Sequence, residues 1–116
     1  MIEATGLGKV FEDFVAVEDI NLTVEPGTVV AILGPNGAGK TTTVRMLTSI
    51  LTPTYGQARL AGYDVVTQAP QVRASVGVLT EQHGLYERMR GYEYLDFFAR
   101  VYHLTPTQRD QRIRSL

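Results

Sequence analysis

The chain has no cysteine, almost no net charge and no long apolar run, and each shortage removes a class of function. Without thiols there are no disulfides and no thiolate metal sites, and cysteine usage marks no redox compartment. Eleven basic against twelve acidic residues leave a formal net charge of −1. No general attraction to nucleic acid or to an acidic membrane surface follows, so no direct nucleic-acid contact is expected and partners must be sought in local sites. The longest apolar run, Val29 to Leu33, is far too short to span a bilayer, and the opening MIEATGLGKV lacks a hydrophobic signal segment. The expected location is therefore cytoplasmic. What remains is 116 residues, 44% hydrophobic and 20% charged, the composition of a soluble globular protein of at most one domain. That length is enough to bury a core.

Patterning gives an α/β reading. DINLTVE alternates strictly, Ile20, Leu22 and Val24 against Asn21, Thr23 and Glu25, as a half-buried strand does. KVF and FVAV flank Glu12-Asp13 as the arms of a hairpin, so the N-terminal quarter is expected to be antiparallel. After the Pro26-Gly27 turn, TVVAIL is continuously apolar, the pattern of a parallel strand covered on both faces. It runs into Gly34. Val44, Leu47 and Leu51, with Ile50 alongside, then form a helical stripe that starts near Lys40 and stops before Pro53. QARLAG reads as a strand closed by Gly62 and SVGVL, Ser75 to Leu79, as another, with room for a short helix around Pro70. GYEYLDFFARVYHL is helical, Tyr92, Leu95, Phe98 and Tyr102 sharing a face and Asp96 and Arg100 spaced to pair. TPTQ, Thr105 to Gln108, has the capping-box order with proline at the first helical position of a last helix.

Chemistry is concentrated in ILGPNGAGKTTT. Gly34, Gly39, Lys40 and Thr41 satisfy G-x-x-x-x-G-K-[ST]. Small residues there let backbone N–H groups curl around phosphate oxygens, the lysine reaches the β and γ phosphates, and the hydroxyl ligates magnesium. Chance alone gives such a match in on the order of one chain of this length in a few hundred. Here it also lies between an apolar strand pattern and a helix pattern, the context that the motif requires.

LGPNGAGKTTTVRML resembles the Walker A region of ABC transporter ATPases, and the likeness runs through GLGKVFEDFVAVEDINLTVEPGTV, VRASVGVLTEQHGLYERM and YLDFFARVYHL, essentially the whole chain. The resemblance implies a P-loop NTPase fold: residues 1–116 would form the N-terminal portion of an ABC ATPase domain, an antiparallel β subdomain plus the start of the parallel-sheet core. It implies ATP and Mg2+ as cofactors, held by Gly34, Pro35, Asn36, Gly37, Ala38, Gly39, Lys40, Thr41 and Thr42, with Thr41 on the metal. It implies Phe11 as the aromatic that stacks on adenine and Ala16 as the small apolar residue beside it. At the Q-loop glutamine position this sequence has Glu81, with Gln82 next. A carboxylate there can ligate magnesium but brings negative charge near the γ phosphate. Lys40 and Glu81 are thus the candidate catalytic residues.

The family's L-S-G-G-Q signature, its strand ending in aspartate and glutamate, and its switch histidine are not found in these 116 residues. FVAVED ends in acids but precedes the loop, so Glu18 and Asp19 are read as turn residues; Asp96 lies in a helical stripe, and His83 and His103 have no partner pattern. The expectation is a nucleotide-clamping half that binds ATP and lacks its catalytic base. The implied partners are a transmembrane ABC permease contacted through the Q-loop region and a second ATPase subunit packed head to tail, at the cytoplasmic face of the membrane. LTEQHGLYERM is similar to ATPases of drug, sodium or polysaccharide exporters. A soluble ABC-type ATPase acting on ribosomes or DNA, and a non-catalytic nucleotide-binding fragment, are the alternatives.

Overall fold

The computed structural model describes residues 1–35, 37–79 and 90–116, which belong to two compact units, Met1–Gly77 and Val78–Leu116. In the first, β1 (Ile2–Phe11) and β2 (Phe14–Val24) pair antiparallel, and Phe11 faces Phe14 across the two-residue turn predicted at Glu12-Asp13. β3 (Tyr55–Leu60) lies on the other edge of β1 and the short β4 (Tyr63–Asp64) on β3, giving the order β2-β1-β3-β4 with every neighbour antiparallel.

The predicted alternation of Ile20, Leu22 and Val24 is present at the end of β2. Its middle departs from expectation: Glu18 and Asp19 are not turn residues but lie within the strand. Between the pairs Leu7↔Ile20 and Lys9↔Val17 the strand β2 carries one extra residue, and Asp19 adopts a φ of 50°. A compensating irregularity sits on β1, where the Gly6 N–H donates to Asn21 Oδ1 at 2.9 Å. Each extra residue reverses which side chains point inward, which is why Ala4 and Leu7, of opposite parity, are both buried.

Two helices complete the core of this unit. α1 (Lys40–Leu47) and α2 (Ala69–Ala74) bring Met46, Leu47 and Val72 onto Ala4, Leu7, Val17, Ala58, Leu60 and Val65. The buried face of α1 is Thr43, Met46 and Leu47, so the predicted stripe is wrong at Val44 and Ile50, which are exposed. The helix also stops earlier than Pro53 requires. Ser49 takes a φ of 62°, its N–H donates to the Met46 carbonyl at 3.2 Å and the Ile50 N–H to the Arg45 carbonyl at 2.9 Å, a Schellman ending. That ending is fixed from outside the helix: Ser49 Oγ donates to the Val65 carbonyl at 2.8 Å, and Arg73 Nη1 donates to the Ser49 carbonyl at 3.1 Å. At the start of α2, Asp64 accepts from the Thr67 N–H at 3.0 Å and the Val66 N–H at 2.8 Å, and these bonds hold its carboxyl below the ordinary range.

Two predicted strands do not form. TVVAIL carries no strand from Thr28 to Leu33, with Val29 97% and Leu33 89% exposed, and SVGVL carries none either. A strand with apolar residues on both faces is stable only when neighbouring strands pair its backbone and elements cover it. Among the described residues no strand pairs with either segment.

The β3–β4 connection is a two-residue turn, Ala61-Gly62, with φ of 53° and 84°. Positive φ at both positions is the type I′ arrangement, for which asparagine or glycine is favoured at the first position and alanine is strained. Ala61→Asn is expected to stabilise the unit by about 0.5–1 kcal/mol, read as a raised thermal midpoint. An unchanged or lowered midpoint would contradict the turn assignment.

In the second unit the described residues hold α3 (Gly91–Val101) and α4 (Pro106–Ser115). Both helices predicted here are present. Thr105 caps α4 as expected: the Gln108 N–H donates to Thr105 Oγ1 at 3.3 Å and the Thr105 N–H to Gln108 Oε1 at 2.9 Å. His103 has a structural task, occupying the left-handed position after α3 with a φ of 60° while its N–H donates to the Arg100 carbonyl and that of Leu104 to the Ala99 carbonyl. The predicted Asp96–Arg100 pair forms at 2.9 Å, and Asp96 also accepts from Arg109 Nε at 2.8 Å, tying α3 to α4. Asp110 accepts from Tyr92 Oη at 3.2 Å and from Arg114 Nε at 2.9 Å.

Partial burial opposes ionisation of Asp96, but the Arg109 hydrogen bond and the Arg100 charge outweigh it; Asp110 is held low chiefly by Arg114. Both carboxyls therefore sit below their ordinary values. Their stabilisation is present above the unfolded pKa and is lost as pH falls through the folded one. Amide exchange of residues 90–116 is expected to be flat from neutral pH down to about pH 4, after correction for intrinsic rates, and to accelerate below it. Asp96→Asn should flatten part of that acid response; a response unaltered by the substitution would remove Asp96 from the explanation.

Candidate functional site

The glycine-rich loop occupies the approach to α1, and its conformation follows from its residues. The Ala38 N–H donates to the Pro35 carbonyl at 3.2 Å, tightening the bend, and Gly37 and Gly39 take φ of 86° and 93°, where side chains with a Cβ are strained. Gly39 is further constrained by packing. A Cβ there would lie 2.7 Å from the Ala16 carbonyl oxygen and 3.0 Å from Val17 Cγ2. Ala16 approaches so closely because it is the extra residue of β2 between the pairs Lys9↔Val17 and Val10↔Val15, a bulge that brings the strand backbone against the loop.

The helix that follows is open to an anion. Gly39 is its N-cap and supplies no side-chain hydrogen bond, and no acidic residue stands in the first turn. The first N–H groups of a helix have no intrahelical acceptor, and together with the helix dipole they favour negative charge. Lys40 adds a full positive charge there. Its ammonium arches back over the loop and donates to the Gly34 carbonyl. Thr43 is different in kind: buried, with its hydroxyl donating to the Gly39 carbonyl at 2.8 Å, it locks the first turn.

A cavity of about 200 Å³ lies against this loop, lined by Phe14, Ala16, Gly37, Gly39, Lys40, Thr41 and Thr42. The predicted residues Ala16, Gly37, Gly39, Lys40, Thr41 and Thr42 are thus brought together. Gly34, Pro35 and Ala38 shape the loop without lining the cavity. Phe11 is not among the lining residues; it ends β1, 43% exposed, with Lys9 Nζ 5.2 Å from its ring centroid. Asn36 and Glu81 lie outside the described residues, as do Gln82 and His83. Phe14 was missed by sequence reasoning, although its place opposite Phe11 in the hairpin could have pointed to it. No described lining residue is acidic, and Lys40 is the one charged side chain among them.

Nucleotide and magnesium both fit the donor set. The uncapped N–H groups and Lys40 suit phosphate oxygens, and the Thr41 hydroxyl offers one oxygen to a hard cation, which takes its remaining ligands from phosphate and water. Among the described residues no group of three or more histidine, aspartate or glutamate side chains could hold a metal by itself, and no helix is long and apolar enough to cross a membrane.

Comparison with known proteins agrees with this geometry. A family model described as ABC transporter matches residues 17–116. The ABC transporter ATP-binding protein NatA of Bacillus subtilis is 43% identical over 121 aligned residues, covering 100% of this chain and 49% of the relative. The daunorubicin resistance ATP-binding protein DrrA3 of Streptomyces coeruleorubidus is 42% identical over 89% of the chain and 33% of its own length. The probable multidrug ABC transporter ATP-binding protein YbhF of Escherichia coli is 37% identical over 97% and 20%. The chain thus spans about half the length of NatA and smaller shares of the others. In structure it is similar to an ATP-binding subunit of an ABC transporter, with a TM-score of 0.81 at 28% identity, covering 92% of this chain and 45% of that one. A dimeric ATP-binding cassette bound to ADP and Pi shares the fold at a TM-score of 0.81 and 19% identity, over 99% of this chain and 55% of that one. The chain belongs to the ABC transporter family, as a part of its ATP-binding domain that carries the glycine-rich loop of the P-loop NTPase fold.

Proposed function

We propose that this chain binds MgATP at the cavity between β2 and the glycine-rich loop, as the phosphate-clamping part of an ATPase that drives export across a membrane. The observation that carries the reading is the start of α1: an uncapped, acid-free helix N-terminus with Lys40 over it and a glycine at the one position where β2 leaves no room for a Cβ. A glycine N-cap contributes no side-chain acceptor, so the first N–H groups of the helix stay available to an external anion. In this reading Lys40 meets the β and γ phosphates, Gly34 to Thr42 wrap them, Thr41 ligates magnesium, and Ala16 borders the ribose and base. Magnesium, when bound, neutralises phosphate charge. Glu81 is proposed as a further magnesium ligand.

Relatives whose names refer to daunorubicin resistance, multidrug transport and Nod factor export support an exporter over a ribosomal or DNA-directed ATPase. On that basis we assign as partners a membrane permease, reached through the Q-loop region at Glu81, and a second ATPase subunit, and we propose a location at the cytoplasmic membrane face. The binding claim is tested by thermal melting. MgATP at ten times its Kd should stabilise the folded chain by about 1.4 kcal/mol, with a shift that grows with ligand concentration. A melting curve unmoved by MgATP up to millimolar concentration would overturn it.

A further inference from the structure

We propose that Arg73 of α2 is a positioning residue for phosphate binding: by holding the far end of α1 at Ser49, it aims the N–H groups at the near end of that helix into the glycine-rich loop. The proposal rests on the nucleotide-binding reading above and adds to it a residue outside the loop and its cavity. Arg73 is an exposed residue near the end of a six-residue helix, where a guanidinium ordinarily points into water. Here Nη1 turns back to the Ser49 carbonyl at 3.1 Å, and among the described residues no carboxylate is ion-paired with Arg73. Its backbone is firmly placed, because its neighbour Val72 is completely buried and the Gln68 side chain at the start of α2 accepts the Asp64 N–H at 3.0 Å.

The bond meets α1 where the helix's own sequence decides its course least. Ser49 stands in the left-handed region, at a φ of 62°, which a residue with a Cβ enters at a cost. Nothing in Ile50, Leu51 or Thr52 stops a helix, and the next breaker is Pro53. The bonds of Ser49 to the Val65 carbonyl and to Arg73 therefore select the short form of α1 over a longer one. α1 has eight residues, about 12 Å, and moves as a rod. Its packing through Met46 and Leu47 is apolar and non-directional, whereas the close approach of Gly39 to the Ala16 carbonyl and the hydrogen bonds at Ser49 fix its two ends. With the Gly39 end as pivot, releasing the Ser49 end tilts the rod and swings the free N–H groups of its first turn. A phosphate held by several such groups at once is sensitive to the tilt, because hydrogen bonds weaken steeply off axis.

The test is calorimetric titration of MgATP and inorganic tripolyphosphate into the chain and its variants, at a temperature where melting curves show each variant folded. Arg73→Ala is expected to lower both affinities by the same factor, about fivefold, since the phosphate end is what moves. Only one hydrogen bond is at stake, so Arg73→Lys, which keeps a cationic donor, should return to within about twofold of the parent. Gly62→Ala is the stability control: it strains a positive φ of 84° with open space around it, far from α1 in sequence, and should leave both affinities unchanged. In amide spectra Arg73→Ala should shift the N–H resonances of residues 40–43, at the opposite end of α1, and Gly62→Ala should not. Unaltered affinities in Arg73→Ala would overturn the proposal, as would unshifted resonances at 40–43 or no recovery in Arg73→Lys. So would an equal loss of affinity in Gly62→Ala, which would make the effect one of stability alone. Lys40→Ala separates the two readings: failure to weaken tripolyphosphate overturns the phosphate cradle and the positioning role with it, whereas a Lys40 effect combined with an inert Arg73 overturns the positioning role alone.

Discussion

Lys40→Ala weakens MgATP binding by about 2–3 kcal/mol, roughly 30- to 150-fold, because it removes the only charged side chain lining the described cavity. The backbone donors at the start of α1 remain and retain residual affinity. Lys40→Arg should recover little, since a planar guanidinium does not replace a compact ammonium in a loop this closely wrapped. The substitution should leave the fold intact, as Lys40 is only partly buried and its intramolecular bond is to a single loop carbonyl. Calorimetric titration of parent and variant, with melting curves as the control for folding, decides the matter. Equal affinities would show that Lys40 does not meet phosphate.

The second large effect is at Gly39. Gly39→Ala should destabilise the Met1–Gly77 unit by about 3 kcal/mol or more and lower nucleotide affinity at least about tenfold. Two terms add: a positive φ of 93°, and a Cβ placed 2.7 Å from the Ala16 carbonyl, which forces the loop or the β2 bulge to move. Gly37 separates them. It shares the positive φ, at 86°, but has open space where a Cβ would go, so Gly37→Ala should show the conformational term alone, about 1–2 kcal/mol. If denaturant unfolding gives the two variants the same stability, the close approach of β2 to the loop is not a constraint, and the account of the bulge at Ala16 fails.

Both expectations depend on features of different legibility. Local chemistry could be read directly. The hairpin at Glu12-Asp13, the strand ending at the Ala61-Gly62 turn, the Thr105 capping box and the Asp96–Arg100 pair all involve residues close in the chain, where propensity and spacing act alone. The phosphate loop belongs to the same group, since its glycines, lysine and threonine are consecutive.

Where sequence reasoning failed, the deciding partner was distant. Pro53 set only an outer limit to α1, and the point inside that limit where the helix stops is fixed by Ser49, held by Val65 and Arg73. The inward phase of β1 and β2 changes at bulges near Gly6, Ala16 and Asp19 that no period-two count contains. Phe14 became a candidate only when the fold set it beside Ala16 and the loop. TVVAIL and SVGVL read as strands, yet strand formation requires backbone partners along the whole edge, and the described residues provide none.

The sequence by itself determined the phosphate-binding chemistry, the capped helices and the tight turns, because each is written in residues within a few positions of one another. Only the tertiary structure decided which faces are buried, where α1 stops, which phenylalanine borders the cavity beside the glycine-rich loop and why Gly39 admits no other residue. Those outcomes depend on contacts across tens of residues, such as Gly39 with Ala16 and Ser49 with Val65, whose geometry is set by strand register and bulges rather than by local composition.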